Sequence, residues 1–278
     1  MKHILIPTDF SELAWNALVY GLELFNKIEC TFYLLHVNPV PVYSGAETSV
    51  KGASEKFQKI ILKDSKVSLK KLLGRIQKMH ENDNHSFITL ALYDTFSDAI
   101  KRETKNKKID LIIMGTKGAT GAKEILFGSN TIHVITKATC PVIAIPENFD
   151  YEAPNEILFP TDYEIEFQKE NLHLLLNVAK LHLSRINVIH VRAGYTLTKT
   201  QEMHKNQLKK LLGDFSLFHD LPDNGIIDAV NEFQSKTKIN LLVMVQNKHS
   251  FLEKLFIEPV IKKLGFHSTV PFMVIPQA

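Results

Sequence analysis

The chain has 278 residues, 45% hydrophobic and 23% charged, an ordinary globular composition long enough for one large domain or two of common size. A net charge of +3 with dispersed bases gives no footprint for nucleic acid, and no apolar run nears the roughly 20 residues a membrane span needs. Met1-Lys2-His3-Ile4-Leu5-Ile6-Pro7 lacks the apolar stretch of a signal peptide, and the two cysteines, Cys30 and Cys140, suit buried free thiols in a reducing compartment, so a cytoplasmic location is expected.

His3-Ile4-Leu5-Ile6-Pro7 is an apolar run stopped by proline. Thr8-Asp9-Phe10-Ser11 follows, then a helical pattern in Leu13, Ala14, Ala17, Leu18, Gly21, Leu22 and Phe25. The spacing predicts strand, turn and helix, with Asp9 or Ser11 as the cap. Residues 31–37 predict a second strand, ended by Asn38-Pro39, and a loop leads to a long helix from about Lys51 to Glu81. Residues 86–92 alternate weakly and predict a third strand. Thr95 to Lys107 predicts a helix with Phe96, Ala99 and Ile100 inward, its basic end solvated. Residues 109–113 read as a buried fourth strand, and Val142-Ile143-Ala144-Ile145 as a fifth. Strand and helix alternate throughout, so an α/β fold with a parallel sheet covered on both faces is expected.

After the fourth strand comes Met114-Gly115-Thr116-Lys117-Gly118, then nine residues, then Gly128-Ser129-Asn130-Thr131. Ile132, Val134 and Ile135 suit a helix, with Ser129 placed to cap it. Glycine lets backbone approach a phosphate, and a helix start offers free N–H groups and a positive dipole end. The mononucleotide loop fails here, because five residues separate Gly115 from Gly121 and Ala122 precedes Lys123. The dinucleotide fingerprint G-x-G-x-x-G fails as well.

The pattern then begins again. Ile157-Leu158-Phe159-Pro160-Thr161-Asp162-Tyr163 repeats Ile4 to Phe10, Asn187 to Val191 repeats the end of the second strand, and Pro271 to Pro276 repeats Pro141 to Pro146. The first strands stand 153 residues apart and the last 130, so the second copy is shorter by 23, most simply after its second strand. Two domains are expected, 1–147 and 153–278, joined near Glu147 to Asn155. At the later offset Gly115 becomes Val245, Gly118 becomes Lys248, Gly128 becomes Glu258 and Ser129 becomes Pro259. A carboxylate at the helix start repels an anion, and proline removes a donor. Asp162 is therefore read as a helix cap only.

Gly115, Gly118, Gly128 and Ser129, at this spacing between a strand and a helix, resemble the nucleotide-binding motif of the universal stress protein family, in its ATP-binding branch. The resemblance extends over nearly the whole chain as two tandem copies. It implies two Rossmann-like units of five strands, paired through their last strands as an intramolecular pseudo-dimer. It also implies ATP, with Mg²⁺ as a companion cation, held by Pro7, Thr8, Asp9, Val37, Met114, Gly115, Lys117, Gly118, Gly128, Ser129 and Asn130. In that reading the Val37 backbone meets adenine and the Asn130 N–H faces the phosphates. Lys117 reaches ribose or phosphate, or stands as a surface lysine.

His36 and His190 repeat each other without a Cys, Asp or Glu at ligand spacing, so they are read as strand histidines and no metal site is expected within the protein. No G-x-S-x-G, HExxH or CxxC occurs. The leading function is an ATP-binding stress-response protein with one site and at most very slow hydrolysis. The alternative is a protein-interaction module that keeps the fold without nucleotide, and a third, weaker reading is a phosphate-ester hydrolase.

Overall fold

The computed structural model describes residues 1–40, 51–116, 128–147, 149–191, 196–222, 225–246 and 269–277. Its first half runs β1 (Lys2–Pro7), α1 (Glu12–Leu24), β2 (Cys30–Asn38), α2 (Lys51–Met79), β3 (His85–Tyr93), α3 (Phe96–Asn106), β4 (Leu111–Gly115), α4 (Ser129–Lys137) and β5 (Val142–Ile145). The second runs β6 (Glu156–Pro160), α5 (Lys169–His182), β7 (Arg185–Val191), α6 (Lys199–Leu212), β8 (Ser216–Leu221), α7 (Ile226–Lys236), β9 (Leu241–Val245) and β10 (Phe272–Ile275). The shortening of the second copy falls after its second strand, where α6 has 14 residues and α2 has 29.

These strands form one sheet in the order β3-β2-β1-β4-β5-β10-β9-β6-β7-β8. Pairing is parallel within each half and antiparallel only where β5 meets β10. The inner strands β4, β5, β9 and β10 are short apolar runs buried on both faces, the pattern a covered parallel sheet requires. Alternate residues serve opposite layers. Ile113 and Ile143 face Leu18 of α1 and Leu69 of α2, whereas Ile112 and Val142 face Ile100 of α3 and Val134 of α4. Each layer continues into the second half, through Leu175 and Leu208 on one face and Val230 on the other.

The seam between the halves pairs Phe272 with Ala144, Met273 with Ile143 and Val274 with Val142. Polar contacts repeat about it. Asn16 Nδ2 donates to the carbonyls of Pro146 at 3.4 Å and Phe149 at 3.0 Å, and Asn171 Nδ2 donates to the Pro276 carbonyl at 3.4 Å. His182 Nε2 bonds the Leu24 carbonyl at 2.9 Å, tying the last turn of α5 to the end of α1. Tyr20 is buried against Phe149 and Tyr151, so the connecting segment is packed on α1. Cys30 and Cys140 are free and buried, and burial pushes their thiols up to about 11 and about 12, so both stay protonated.

Two caps differ from the sequence expectation. Gly128, not Ser129, is the N-cap of α4, and Ser129 is already helical. Asp162 caps nothing: α5 begins only at Lys169 after Gln168, and the Asp162 carboxylate accepts instead from the Glu164 N–H at 3.0 Å. The six residues between the Asp162 turn and Lys169 displace the helix start.

The seam has a direct consequence. Residues 1–147 produced alone expose the β5 edge with its unpaired N–H and C=O groups. They are expected to self-associate or aggregate, with a mass by light scattering of a dimer or more. A soluble monomeric first half would contradict this.

Candidate functional site

The turn after β1 is fixed by its own side chains. Thr8 N–H bonds the Leu35 carbonyl at 2.8 Å, continuing the ladder one residue past the strand. Thr8 Oγ1 then accepts from Phe10 N–H at 3.0 Å, and Asp9 Oδ1 accepts from the Ser11 N–H at 3.0 Å and hydroxyl at 2.6 Å. Ser11 in turn caps α1 by accepting from Ala14 N–H. Phe10 sits at φ 67°, a conformation costing an L-residue roughly 1–2 kcal/mol. Those side-chain bonds and the stacking of Phe10 against His36, with centroids 4.5 Å apart, hold it there. His36 Nδ1 lies 2.7 Å from the Thr8 carbonyl, which only accepts, so this nitrogen carries the proton. The repeated histidine thus braces the turn.

Asp9 is exposed at the tip. Burial of its carboxyl would raise the pKa, but the Ser11 hydroxyl and N–H outweigh it and hold the group below the ordinary carboxylate range. It is a carboxylate at neutral pH.

Beside this turn the sheet opens. β1 and β4 pair only at Ile4–Leu111 and Leu5–Ile112. On their outer sides the same strands run further, β1 with β2 to Pro7–Leu35 and β4 with β5 to Gly115–Ile145. The carboxyl ends of β1 and β4 therefore part where the strand order reverses, the place at which open α/β sheets bind ligands. α4 starts at this crevice, because Thr131 Oγ1 donates to the Gly115 carbonyl at 3.2 Å. Gly128 caps α4 without a side-chain bond, and Ser129 and Asn130 are exposed. The N–H groups of Ser129, Asn130 and Thr131 have no partner among the described residues, since the first intrahelical bond is from Ile132 to Gly128.

Pro7, Thr8, Asp9, Val37, Met114, Gly115, Gly128, Ser129 and Asn130 all stand at this end of the first half's strands or at the start of α4. Lys117 and Gly118 lie outside the described residues. Val37 and Met114 pack toward the face that carries α3 and α4. Gly115 is required by space: a Cβ there would meet Leu13 Cγ at 2.5 Å and Cδ1 at 2.9 Å. Gly128, at φ −61° and ψ 154°, has a backbone open to any residue.

The second half copies the turn and fills it. Thr161 N–H bonds the Ile189 carbonyl at 2.9 Å, Thr161 Oγ1 accepts from Tyr163 N–H at 3.1 Å, Tyr163 has φ 57°, and His190 Nδ1 reaches the Thr161 carbonyl at 3.1 Å. β6 and β9 likewise pair only at Ile157–Leu241 and Leu158–Leu242. Here, however, α6 lies over the turn. Gln201 Nε2 donates to the Asp162 carbonyl at 3.1 Å and to Glu164 Oε1 at 2.9 Å, and His204 Nδ1 donates to the Tyr163 carbonyl at 2.8 Å. Both side chains are buried. Among the described residues no side chain of α2 bonds the Asp9 or Phe10 carbonyl. Sequence reasoning missed Gln201, although Thr198-x-x-Gln201 forms a legible capping box. Val245 ends β9 and packs on the core, while Lys248, Glu258 and Pro259 lie outside the described residues.

Residues 1–146 match the family model described as the universal stress protein family. Universal stress protein MJ0531 of Methanocaldococcus jannaschii is 31% identical over 144 residues, 52% of this chain and 81% of that protein. MJ0577 of the same organism, also a universal stress protein, is 30% identical over 157 residues, 52% of this chain and 94% of its own. The crystal structure of a universal stress protein from Archaeoglobus fulgidus covers 99% of this chain and 96% of its own, with a TM-score of 0.63 at 18% identity. That likeness is one of fold, and it spans both halves.

The Leu13–Gly115 contact is testable. Gly115→Ala is expected to cost about 1–3 kcal/mol in urea unfolding through overpacking. Combined with Leu13→Ala, the loss should be clearly smaller than the sum of the two single losses. Additive losses would show that Leu13 does not set the requirement for glycine.

Proposed function

The chain belongs to the universal stress protein family, and on that premise we propose that it is an ATP-binding regulatory protein with one nucleotide site, in its first half. The observation that carries this reading is the uncapped start of α4 at the crevice where β1 and β4 part. Three N–H groups without a partner among the described residues, and a positive dipole end, suit phosphate oxygens there. Gly118 and Gly128 would let backbone come close, and the Val37 backbone would meet adenine. Asp9 is ionised, so it repels phosphate and serves instead as an acceptor for a ribose hydroxyl or an exocyclic amine. It also fits Mg²⁺, which takes one or two carboxylates together with substrate phosphates. Among the described residues no group of three potential ligand side chains is set to hold a metal.

The second half supports the one-site reading from the other side. Its turn carbonyls are already bonded by Gln201 and His204, and its sequence has Glu258 where a phosphate would need a donor.

Calorimetry with ATP and Mg²⁺ is expected to give one site per chain. Gly128→Val should abolish binding and leave the circular dichroism spectrum and melting unchanged, because φ −61° accepts valine while its side chain crowds the phosphates. Two equivalent sites, or undiminished binding in that variant, would count against the proposal. Binding by neither half would favour a protein-interaction module.

Hydrolysis should be far below the enzyme median of about 10 per second. The carboxylate of Asp9 faces Ser11 and solvent, and no base–nucleophile pair adjoins it among the described residues. Fast Mg²⁺-dependent turnover lost in Asp9→Asn would place the protein among the enzymes.

A further inference from the structure

We propose that Gln246, contributed by the second half, is a positioning residue for the nucleotide site of the first. Its side chain caps the far end of α4 and so fixes the helix start on which the phosphates would sit. The inference rests on the nucleotide reading above.

The argument begins with direction. β5 and β10 are antiparallel, so the two crevices open at opposite ends of the sheet. α4 returns against the direction of β4, from the first crevice toward the end at which the second opens. With nine residues it is about 14 Å long. Its two ends are held by side chains from different halves. At the start, Thr131 Oγ1 bonds the Gly115 carbonyl. At the finish, Gln246 Nε2 donates to the Thr136 carbonyl at 3.2 Å.

That carbonyl needs a partner, because the last four C=O groups of a helix have none within it. The Val134 carbonyl is taken by Ala138 N–H at 2.8 Å, and the His133 carbonyl by the Thr136 hydroxyl at 3.1 Å. Thr136 is served from the second half. Gln246 is itself well anchored. It follows Val245 at the end of β9, and its N–H bonds the Ile275 carbonyl at 2.7 Å. Thr116 stands at the matching place in the first half, with its N–H on the Ile145 carbonyl at 2.8 Å. Its side chain donates back to that same carbonyl at 3.3 Å. Among the described residues this side-chain bridge to α4 runs from the second half to the first. α4 has only Thr131, Val134 and Ile135 buried. A helix so short and so lightly packed depends on what holds its ends.

The test uses the full chain with Gln246→Ala, Gln246→Glu and Gln246→Lys. Glutamate keeps the shape but cannot donate, and its charge opposes the negative end of the helix. Lysine restores a donor and suits that end. Two readouts are taken together: ATP affinity by calorimetry, and amide exchange in α4 by mass spectrometry.

Loss of one neutral hydrogen bond corresponds to about a five-fold change. Alanine and glutamate should weaken ATP binding about five-fold or more and quicken exchange in α4 by a similar factor. Lysine should stay within about two-fold of the parent. The proposal is overturned if exchange in α4 is unchanged in both alanine and glutamate variants. It is also overturned if exchange quickens without loss of ATP affinity, or if lysine is as impaired as alanine. A parent chain that binds no ATP would instead remove the nucleotide reading, and exchange in α4 would still decide whether Gln246 holds the helix.

Discussion

The antiparallel pairing of β5 with β10 is the constraint on which the rest depends. Each half is a parallel sheet that would otherwise end on a short, wholly apolar edge, and such an edge invites pairing with another chain. Placing the two edges against each other in one polypeptide closes both. Ile143 and Met273 then lie fully buried on one face, and Ala144 and Phe272 on the other. Because the pairing reverses strand direction, the crevices of the two halves are sent to opposite ends of a single sheet. Everything asymmetric about the molecule is arranged around that symmetric join.

Among the described residues the asymmetry lies in what bonds each turn after β1 and β6. Both halves keep the same turn: a threonine that prolongs the ladder, an aspartate that folds onto the next residues, an aromatic residue at positive φ and a histidine bracing the threonine carbonyl. Folding accounts for much of a turn this closely copied, since its threonine, aspartate and histidine side chains are bonded within it in both halves. On the proposed reading, ligand chemistry in the first half comes from the helix start at Gly128, with Asp9 as a further acceptor. In the second half the shorter α6 supplies Gln201 and His204 to the Asp162 and Tyr163 carbonyls.

The parts legible in the sequence were those written in local pattern. Apolar runs ending at Pro7, Pro146, Pro160 and Pro276 gave strands and their repeat, and Thr95 marked the start of α3. The loss of residues after the second strand followed from two offsets. The failures all involve distance. Ser129 lost the cap to Gly128 because capping depends on where ψ turns helical, which a serine one residue away does not reveal. Asp162 repeats Asp9 without a glycine loop to pair with, which suggests a cap, but six further residues separate it from α5. The reason for Gly115 lies in Leu13, on another element, and Gln246 matters through a helix of the other half. Contacts of that kind leave no trace in spacing.

The central claim is that the halves share one sheet and differ in one site. A crystal structure of the full chain grown with ATP and Mg²⁺ tests it most directly. The account predicts one ATP per chain, its phosphates on the N–H groups of Ser129, Asn130 and Thr131, with Gln201 and His204 still bonded over the Asp162 turn. Nucleotide bound at the second crevice with α6 displaced, or phosphates lodged away from the start of α4, would contradict it.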